Sequence, residues 1–526
     1  MNPKGIFLRP KSQWTNSHEN FTQKLTKDAS FKLRNPKGTS GWDRYRATTK
    51  NFQWLIDHAI NKNIRLRALG RGWSFSKVGV SNGGIIDTLS LNFSFKLDLQ
   101  DVSLTYKNSP EDLYFLQCGT KIHQINTRLA QKKPQRSIKA SGASNGQTIA
   151  GALSTGTHGA AFKVGAVQDF VVGLHIVTAV DKHVWIERAS YPVASNTWTD
   201  RLDVDQVIKD DEIFNAALVS FGSFGFIHGI MIETEPQFLL EEHRVGNIPF
   251  SAPLKKAMTQ LDFSNLPLEG QASGNELYHF EVLFNLHNFK PNNAAKGAFL
   301  KYMFKKPFNP NEIDFVPSSK FKYGEDLLGI ISSLLDRIPL ISDALIPPFV
   351  NLMFKDAFTP TPPKTGTIGH IFNFTKFRGQ VASAAIGIAA EDSAKVVEII
   401  MAVNKQTPFP GGLALRYVKG TKATLGFTKF SNTCVLEMDG LDGKASRKFF
   451  KAVWIKFEQE QISYTLHWGK INFILNKIRV KRMYGAPMVK SWIDTRNELM
   501  TIPSMAVFTN EFMEQCGLDK VEGAIV

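Results

Sequence analysis

The densest run of residues able to hold a ligand lies between Ser141 and Gly159. It carries Gly142, Gly146, Gly151, Gly156 and Gly159, and its large side chains are Gln147, Ile149, Leu153 and His158. Glycine removes the Cβ that keeps another molecule away from the main chain. A run of main-chain N–H groups has the chemistry of an anion nest for a phosphate or pyrophosphate. The same composition also serves a small-residue packing seam, while Ile149, Ala150, Ala152 and Leu153 argue against a polar linker. A second candidate is Gly70-Arg71-Gly72-Trp73-Ser74-Phe75-Ser76. It follows Ile64-Arg-Leu-Arg-Ala-Leu69, whose alternating apolar and charged residues read as a strand. A strand running into a Gly-x-Gly turn suits a cofactor loop and an ordinary tight turn alike. No zinc-type spacing is present, so no metal site is expected.

Periodicity indicates the elements that must position these loops. Residues 1–35 are polar and mixed and read as an irregular N-terminal arm; Trp42 to Ala47 reads as a short strand. Phe52, Leu55, Ile56, Ala59 and Ile60 recur at helical spacing, with Asn63 as the stop. Strands are expected over 84–87 and 113–118, then a helix with Ile122, Ile125 and Leu129 on one face. A hairpin over 170–184, a helix over 213–219 and a glycine-punctuated strand over 221–231 follow. After Pro236 the chain becomes richer in Phe, Pro and Lys and loses the glycine loops. There, strands are expected over 279–285, 367–374, 382–390, 413–418 and 433–438, with a helix over 393–404. Residues 325–356 are apolar, but Asp336, Arg337, Pro339 and Asp343 interrupt them too often for a bilayer span. They read as a pair of buried helices or as an amphipathic surface for a membrane or an apolar substrate. Lys301, Lys305, Lys306, Lys320 and Lys322 would then favour anionic lipid.

Composition narrows the classes. A chain of 526 residues suits two to four domains. The Phe count of 40 against 10 Tyr favours large apolar pockets or a greasy surface. Lys plus Arg against Asp plus Glu gives 63 − 47 = +16, which favours anionic partners. The basic residues are dispersed and no nucleic-acid motif accompanies them, so no nucleic-acid partner is expected. Cys118, Cys434 and Cys516 are odd in number and far apart, which fits a reducing compartment. With no signal-type apolar region, the expectation is a cytoplasmic protein, with peripheral membrane contact through 325–356 as the alternative.

In their order along the chain, these motifs resemble the FAD-binding domain of the vanillyl-alcohol-oxidase (PCMH-type) superfamily, closest to its aldonolactone oxidase and alditol oxidase branch. The matching residues are Gly70-Arg71-Gly72-Trp73-Ser74-Phe75, Thr148-Ile149-Ala150-Gly151-Ala152, Gly156-Thr157-His158-Gly159 and Gly222-Ser-Phe-Gly225-Phe-Ile227. Late in the chain, His467-Trp468-Gly469-Lys470 is similar to a motif of the same branch. The resemblance implies an α+β protein: an N-terminal arm (1–35), a two-subdomain FAD domain (36–237), an α+β substrate or cap domain over the flavin (238–485), and a segment returning to the FAD domain (486–526). It implies FAD held by residues 70–75 together with Gly142, Thr148, Ile149, Gly151, Ala152, Gly156, His158, Gly159, Gly225 and Ile227. It also implies that Lys470 faces the substrate hydroxyl as base or orienting group, and that Arg416 lies near the flavin pyrimidine edge. A fixed cation there would stabilise the anionic reduced flavin. His467 would orient its neighbours.

Two departures matter. Many relatives attach flavin through a histidine where this chain has Trp73, and indole is no nucleophile for that bond, so FAD is expected to be non-covalent. The glutamate of the family's Glu-x-Arg motif is Ala414 here, which implies a less hydroxylated substrate or a carboxylate from elsewhere, with Glu437 a candidate. The expected activity is oxidation of a small-molecule alcohol (a polyol, sugar lactone or related CH–OH donor, as in D-arabinono-1,4-lactone oxidase), with oxygen or another carrier as acceptor. The alternatives are a sterol or apolar-alcohol oxidase and a non-catalytic, membrane-associating flavin binder.

Overall fold

The computed structural model describes residues 2–520 except 143, 272–273, 316–344, 358–361 and 373–379. Three large sheets organise the described residues. The first has the order Ile6–Leu8, Phe31–Arg34, Gly84–Ser90, Leu66–Leu69. Its strands Leu66–Leu69 and Gly84–Ser90 run parallel, and the Gly70 loop leaves the end of the first of them. That end of a parallel strand is where open α/β sheets present their ligand loops. The second sheet has the order Gln206–Lys209, His183–Glu187, Val171–Val177, Phe226–Glu233, Leu113–Gln117, Ser94–Lys96. The expected hairpin is its centre, with Leu174 opposite Ile186 and Val177 opposite His183.

Helix Gly41–Lys62 packs between these sheets' cores through Tyr45, Phe52, Leu55, Ile56 and Ala59. Its N-cap Ser40 accepts the N–H of Asp43, and Asn63 closes it in the left-handed conformation. The expected strand at Trp42 to Ala47 is therefore the first turns of this helix. Trp42 and Tyr45 are three residues apart and share a helix face rather than a strand face. Trp42 stacks on Phe95 at 3.9 Å between ring centres.

A buried histidine cluster sits behind that helix. Tyr45 Oη lies 2.7 Å from His175 Nδ1, and His175 Nε2 lies 2.9 Å from His183 Nδ1. The Gln117 amide donates to His228 Nε2 at 3.0 Å, which leaves His228 Nδ1 to donate to Thr49 Oγ1 at 3.1 Å. Burial holds His175 and His228 well below the usual histidine range, so both are neutral. In the unfolded chain they bind protons below about pH 6.5, so stability is full above that pH and falls as acid is added. The two groups together set a limiting slope of about 2.7 kcal/mol per pH unit. Urea unfolding followed by circular dichroism at pH 7.5 and 5.5 should show a clearly lower midpoint in acid, and equal midpoints would contradict the neutral pair.

The third sheet has eight strands among the described residues, in the order Lys364–Gly366, Phe238–Ile248, Ala298–Pro307, Glu276–Phe284, Gly411–Lys419, Asn432–Leu441, Val381–Ala389, Tyr464–Leu466. Helices Ser393–Gln406 and Lys444–Gln459 bury Val396, Val397 and Ile400, and Phe449, Phe450, Val453 and Trp454. The expected strand over 367–374 is instead a short helix, Ile368–Ile371, as far as residue 372; 373 and 374 lie outside the described residues. Most of 325–356 also lies outside them, and Ile346–Ala357 is helical. Lys301, Lys305 and Lys306 sit on strand Ala298–Pro307 and pair with Glu242, Glu235 and Glu241.

The arm is not irregular. Besides its two strands in the first sheet, it forms a small hairpin from Gln13–Thr15 and Thr22–Lys24. The last helices, Ala486–Leu499, Ile502–Phe508 and Glu511–Cys516, return to the first half of the chain. Arg496 donates to the carbonyl of Ser223, and Asn510 to the carbonyls of Val78 and Val80.

Candidate active site

One cavity runs along the seam between the glycine loops and the third sheet. Its floor is the Gly70 loop, which is built by close approach. A Cβ on Gly70 would lie 2.1 Å from Thr148 Oγ1, so this glycine lets the first loop lie against the second. Thr148 in turn accepts the N–H of Gly151 and caps helix Ile149–Thr155. Gly72 has φ +67°, and a Cβ there would meet the Trp14 ring at 2.5 Å. From the second loop, Gly142, Ser144, Thr148, Gly151, Ser154 and His158 line the cavity; Gly222, Gly225 and Ile227 close it.

Four of the sixteen residues expected to hold the cofactor do not line the cavity. Ile149 and Ala152 belong to the apolar face of the short helix and are fully buried in the core. Gly156 ends that helix with φ +79°, and Gly159 presses on the carbonyl of Ser141. These four shape the loop by close packing.

The opposite wall carries the charged groups. Strand Gly411–Lys419 lies between Glu276–Phe284 and Asn432–Leu441, and the register places Glu281 opposite Arg416 and Glu437 opposite Ala414. Ala414 and Arg416 share a face because side chains alternate along a strand. Arg416 Nε therefore donates to Glu281 at 3.0 Å, and its Nη1 meets Glu437 Oε2 at 2.7 Å. A carboxylate thus stands beside position 414, on the neighbouring strand at the paired position. Arg416 holds Glu281 down to about 2 and Glu437 well below the usual carboxylate range, against the opposing effect of burial. Both carboxylates are ionised.

Lys470 approaches Glu437 from the turn after Tyr464–Leu466. Its Nζ lies 2.5 Å from Ser383 Oγ and 3.6 Å from Glu437 Oε1. The same turn is bonded to the first glycine loop: Phe75 N–H donates to Gly469 O at 2.7 Å, and Ser76 Oγ to Trp468 O at 2.5 Å. The loop that floors the cavity and the turn that carries Lys470 are thus one hydrogen-bonded unit. His158 donates Nδ1–H to Gly159 O, and its Nε2 lies 3.4 Å from Glu437 Oε1. His467 is held neutral by burial, with nearby His158 and Lys470 adding to the shift. Its Nδ1 accepts the Gly469 N–H at 2.9 Å, so the remaining ring nitrogen carries the proton. In that tautomer Nδ1 is taken up by the Gly469 N–H and is no base.

Three cavity residues were invisible to sequence reasoning. Trp14, His18 and Phe21 come from the N-terminal hairpin. The clustering of three rings in eight residues was the signal available. Glu281 and Ser383 carried none, because strand register brings them in.

The residues present suit a dinucleotide bearing a redox-active ring. A cradle of small residues that a Cβ would fill leads to a wall with a fixed guanidinium and a lysine side chain. Gly70, Gly72, Gly142, Thr148 and Gly151 would hold the phosphates; Arg416 and Lys470 would face the ring.

Comparison with known proteins agrees. Residues 46–187 match the model of the FAD binding domain family. L-gulono-1,4-lactone dehydrogenase of Mycobacterium tuberculosis is 21% identical over 80% of this chain and 84% of its own length. D-arabinono-1,4-lactone oxidase of Kluyveromyces lactis is 26% identical over 35% of this chain and 30% of its own. Among solved structures, cholesterol oxidase from Brevibacterium sterolicum has the same fold, with TM-score 0.69 at 14% identity over 98% of both chains. A chain with these loops, this fold and these relatives carries an FAD-binding domain of the PCMH type over residues 46–187.

Proposed function

We propose that this protein is an FAD-dependent oxidoreductase that oxidises the CH–OH group of a hydroxylated small molecule, with an aldonolactone such as L-gulono- or D-arabinono-1,4-lactone as the leading substrate. The observation that carries the reading is the joining of the glycine loops to the Arg416–Glu437–Lys470 wall in a single cavity. Bound FAD would supply the hydride acceptor, the redox chemistry that side chains cannot provide. Lys470, steadied by Ser383 and Glu437, is placed to hold the substrate hydroxyl and to receive its proton directly or through a water. Arg416 supplies positive charge fixed by two carboxylates, so it needs no reorganisation as negative charge develops beside it. His467 accepts the Gly469 N–H and so orients the turn that carries Lys470. Electrons leave to oxygen or to another carrier.

The test is anaerobic mixing of the holoprotein with aldonolactones, polyols and sterols. Bleaching by a lactone or polyol is expected; bleaching by none of the panel would end this reading. Readmitting air then separates an oxidase, which recolours quickly, from a dehydrogenase.

FAD is held without a covalent bond in this reading, because Trp73 occupies the attachment position. Acid precipitation should leave a colourless pellet and a yellow supernatant, and a yellow pellet would reverse the assignment. Peripheral membrane contact through 325–356 is a further proposal, supported by exposed Leu345 and Leu352 at the described end of that segment. Cosedimentation with anionic vesicles tests it.

A further inference from the structure

The N-terminal hairpin bridges the two walls of the cavity. On the loop side, Ser17 N–H donates to Gly72 O at 2.9 Å, Ser17 Oγ to Arg71 O at 2.7 Å, and Asn16 Nδ2 to Ser74 O at 3.1 Å. On the sheet side, Asn20 Nδ2 donates to Val381 O at 2.8 Å and to Asp442 Oδ2 at 2.6 Å. Val381 begins the strand that carries Ser383, the partner of Lys470. The hairpin tip is therefore fixed on both sides, by partners more than 50 residues later in the chain on one wall and more than 350 later on the other.

This tip turns His18 inward. Glu19 is exposed, with φ 57°, while His18 beside it is 2% exposed and lines the cavity. The imidazole stacks flat on Phe75, with ring centres 4.2 Å apart and planes 7° apart. Phe75 also lies 5.7 Å from Lys470 Nζ. His18, Phe75 and Lys470 thus form one corner, in which Phe75 is the shared apolar plate. Burial and the nearby Lys470 charge hold His18 down to about 3, so the ring is neutral at working pH. A neutral imidazole can hydrogen-bond a hydroxyl without adding charge beside the lysine.

We propose that His18 is a substrate-contacting residue, whose imidazole hydrogen-bonds a second hydroxyl or a ring oxygen of a polyhydroxylated substrate held at Lys470. The hairpin is then a third wall of the site, and the substrate class is a compact, neutral, hydroxylated molecule rather than a sterol. This rests on the CH–OH reading above.

Two variants separate a polar contact from packing. His18→Phe keeps the flat stack on Phe75 and loses the hydrogen bond; His18→Ala loses both. The holoproteins are titrated with L-gulono-1,4-lactone, D-arabinono-1,4-lactone, xylitol and cholesterol. Two readouts are used: perturbation of the bound-flavin absorption spectrum by non-reducing concentrations, which gives Kd, and the anaerobic bleaching rate. The expected result is that His18→Phe and His18→Ala both raise Kd and KM for a hydroxylated probe by roughly three- to tenfold, the size of one hydrogen bond. FAD content per chain should equal that of the wild type in His18→Phe. A His18→Phe protein with wild-type Kd, alongside an impaired His18→Ala, would make the ring a packing element and overturn the proposal. Bleaching of the wild type by cholesterol alone would overturn it while leaving CH–OH oxidation standing. A wild type neither perturbed nor bleached by any probe would remove both readings together.

Discussion

Lys470→Ala is expected to slow reduction of the bound flavin by an alcohol substrate by about 10²- to 10⁴-fold, the usual contribution of a positioned proton-transfer group. FAD occupancy should survive, because Lys470 meets the cavity from the third sheet and not from the loops that would hold the phosphates. Stopped-flow bleaching and the flavin-to-protein absorbance ratio measure the two effects separately. Loss of occupancy would make Lys470 a structural residue.

Arg416→Met is expected to lower stability by about 3–5 kcal/mol, the cost of leaving buried charge without its partner. Glu281 and Glu437 are both almost wholly buried, and both meet this guanidinium. Lys470 and His158 offset part of the charge on Glu437 but lie farther away, at 3.6 and 3.4 Å. The double variant Arg416→Met/Glu281→Gln should recover part of the loss, because it removes one of the two stranded carboxylates. Urea midpoints of the apo and holo forms report this. A single variant within about 0.5 kcal/mol of wild type, the range of an ordinary surface substitution, would mean that the triad contributes nothing.

What could be read from the sequence follows from how local each feature is. The Gly70 and Gly151 loops were legible because close approach and turn geometry need glycine at fixed spacing, whatever the rest of the chain does. Helix Gly41–Lys62 was half legible: Phe52 to Ile60 show the period, while Trp42 and Tyr45 at its start also suit a strand. Ile149 and Ala152 look like ligand residues when a motif is read as a block, yet the helix turns them into the core. Glu437 could be suspected but not placed, since only strand pairing sets it beside Ala414. Glu281 and Ser383 meet Arg416 and Lys470 through strand register, which leaves no trace in local composition, while His18 arrives on a hairpin over a hundred residues from the second loop.

The closure of the first sheet by the final helices bears on how the protein is made. The buried guanidinium of Arg67, on the strand that leads into the Gly70 loop, donates to the carbonyls of Phe508 and Val78. Asn510 secures the following turn at Val78 and Val80. A ribosome that has delivered every glycine of the cofactor loops has still not delivered these clamps. Prosthetic-group loading should therefore follow release of the finished polypeptide, and a nascent chain arrested before Phe508 should capture little flavin.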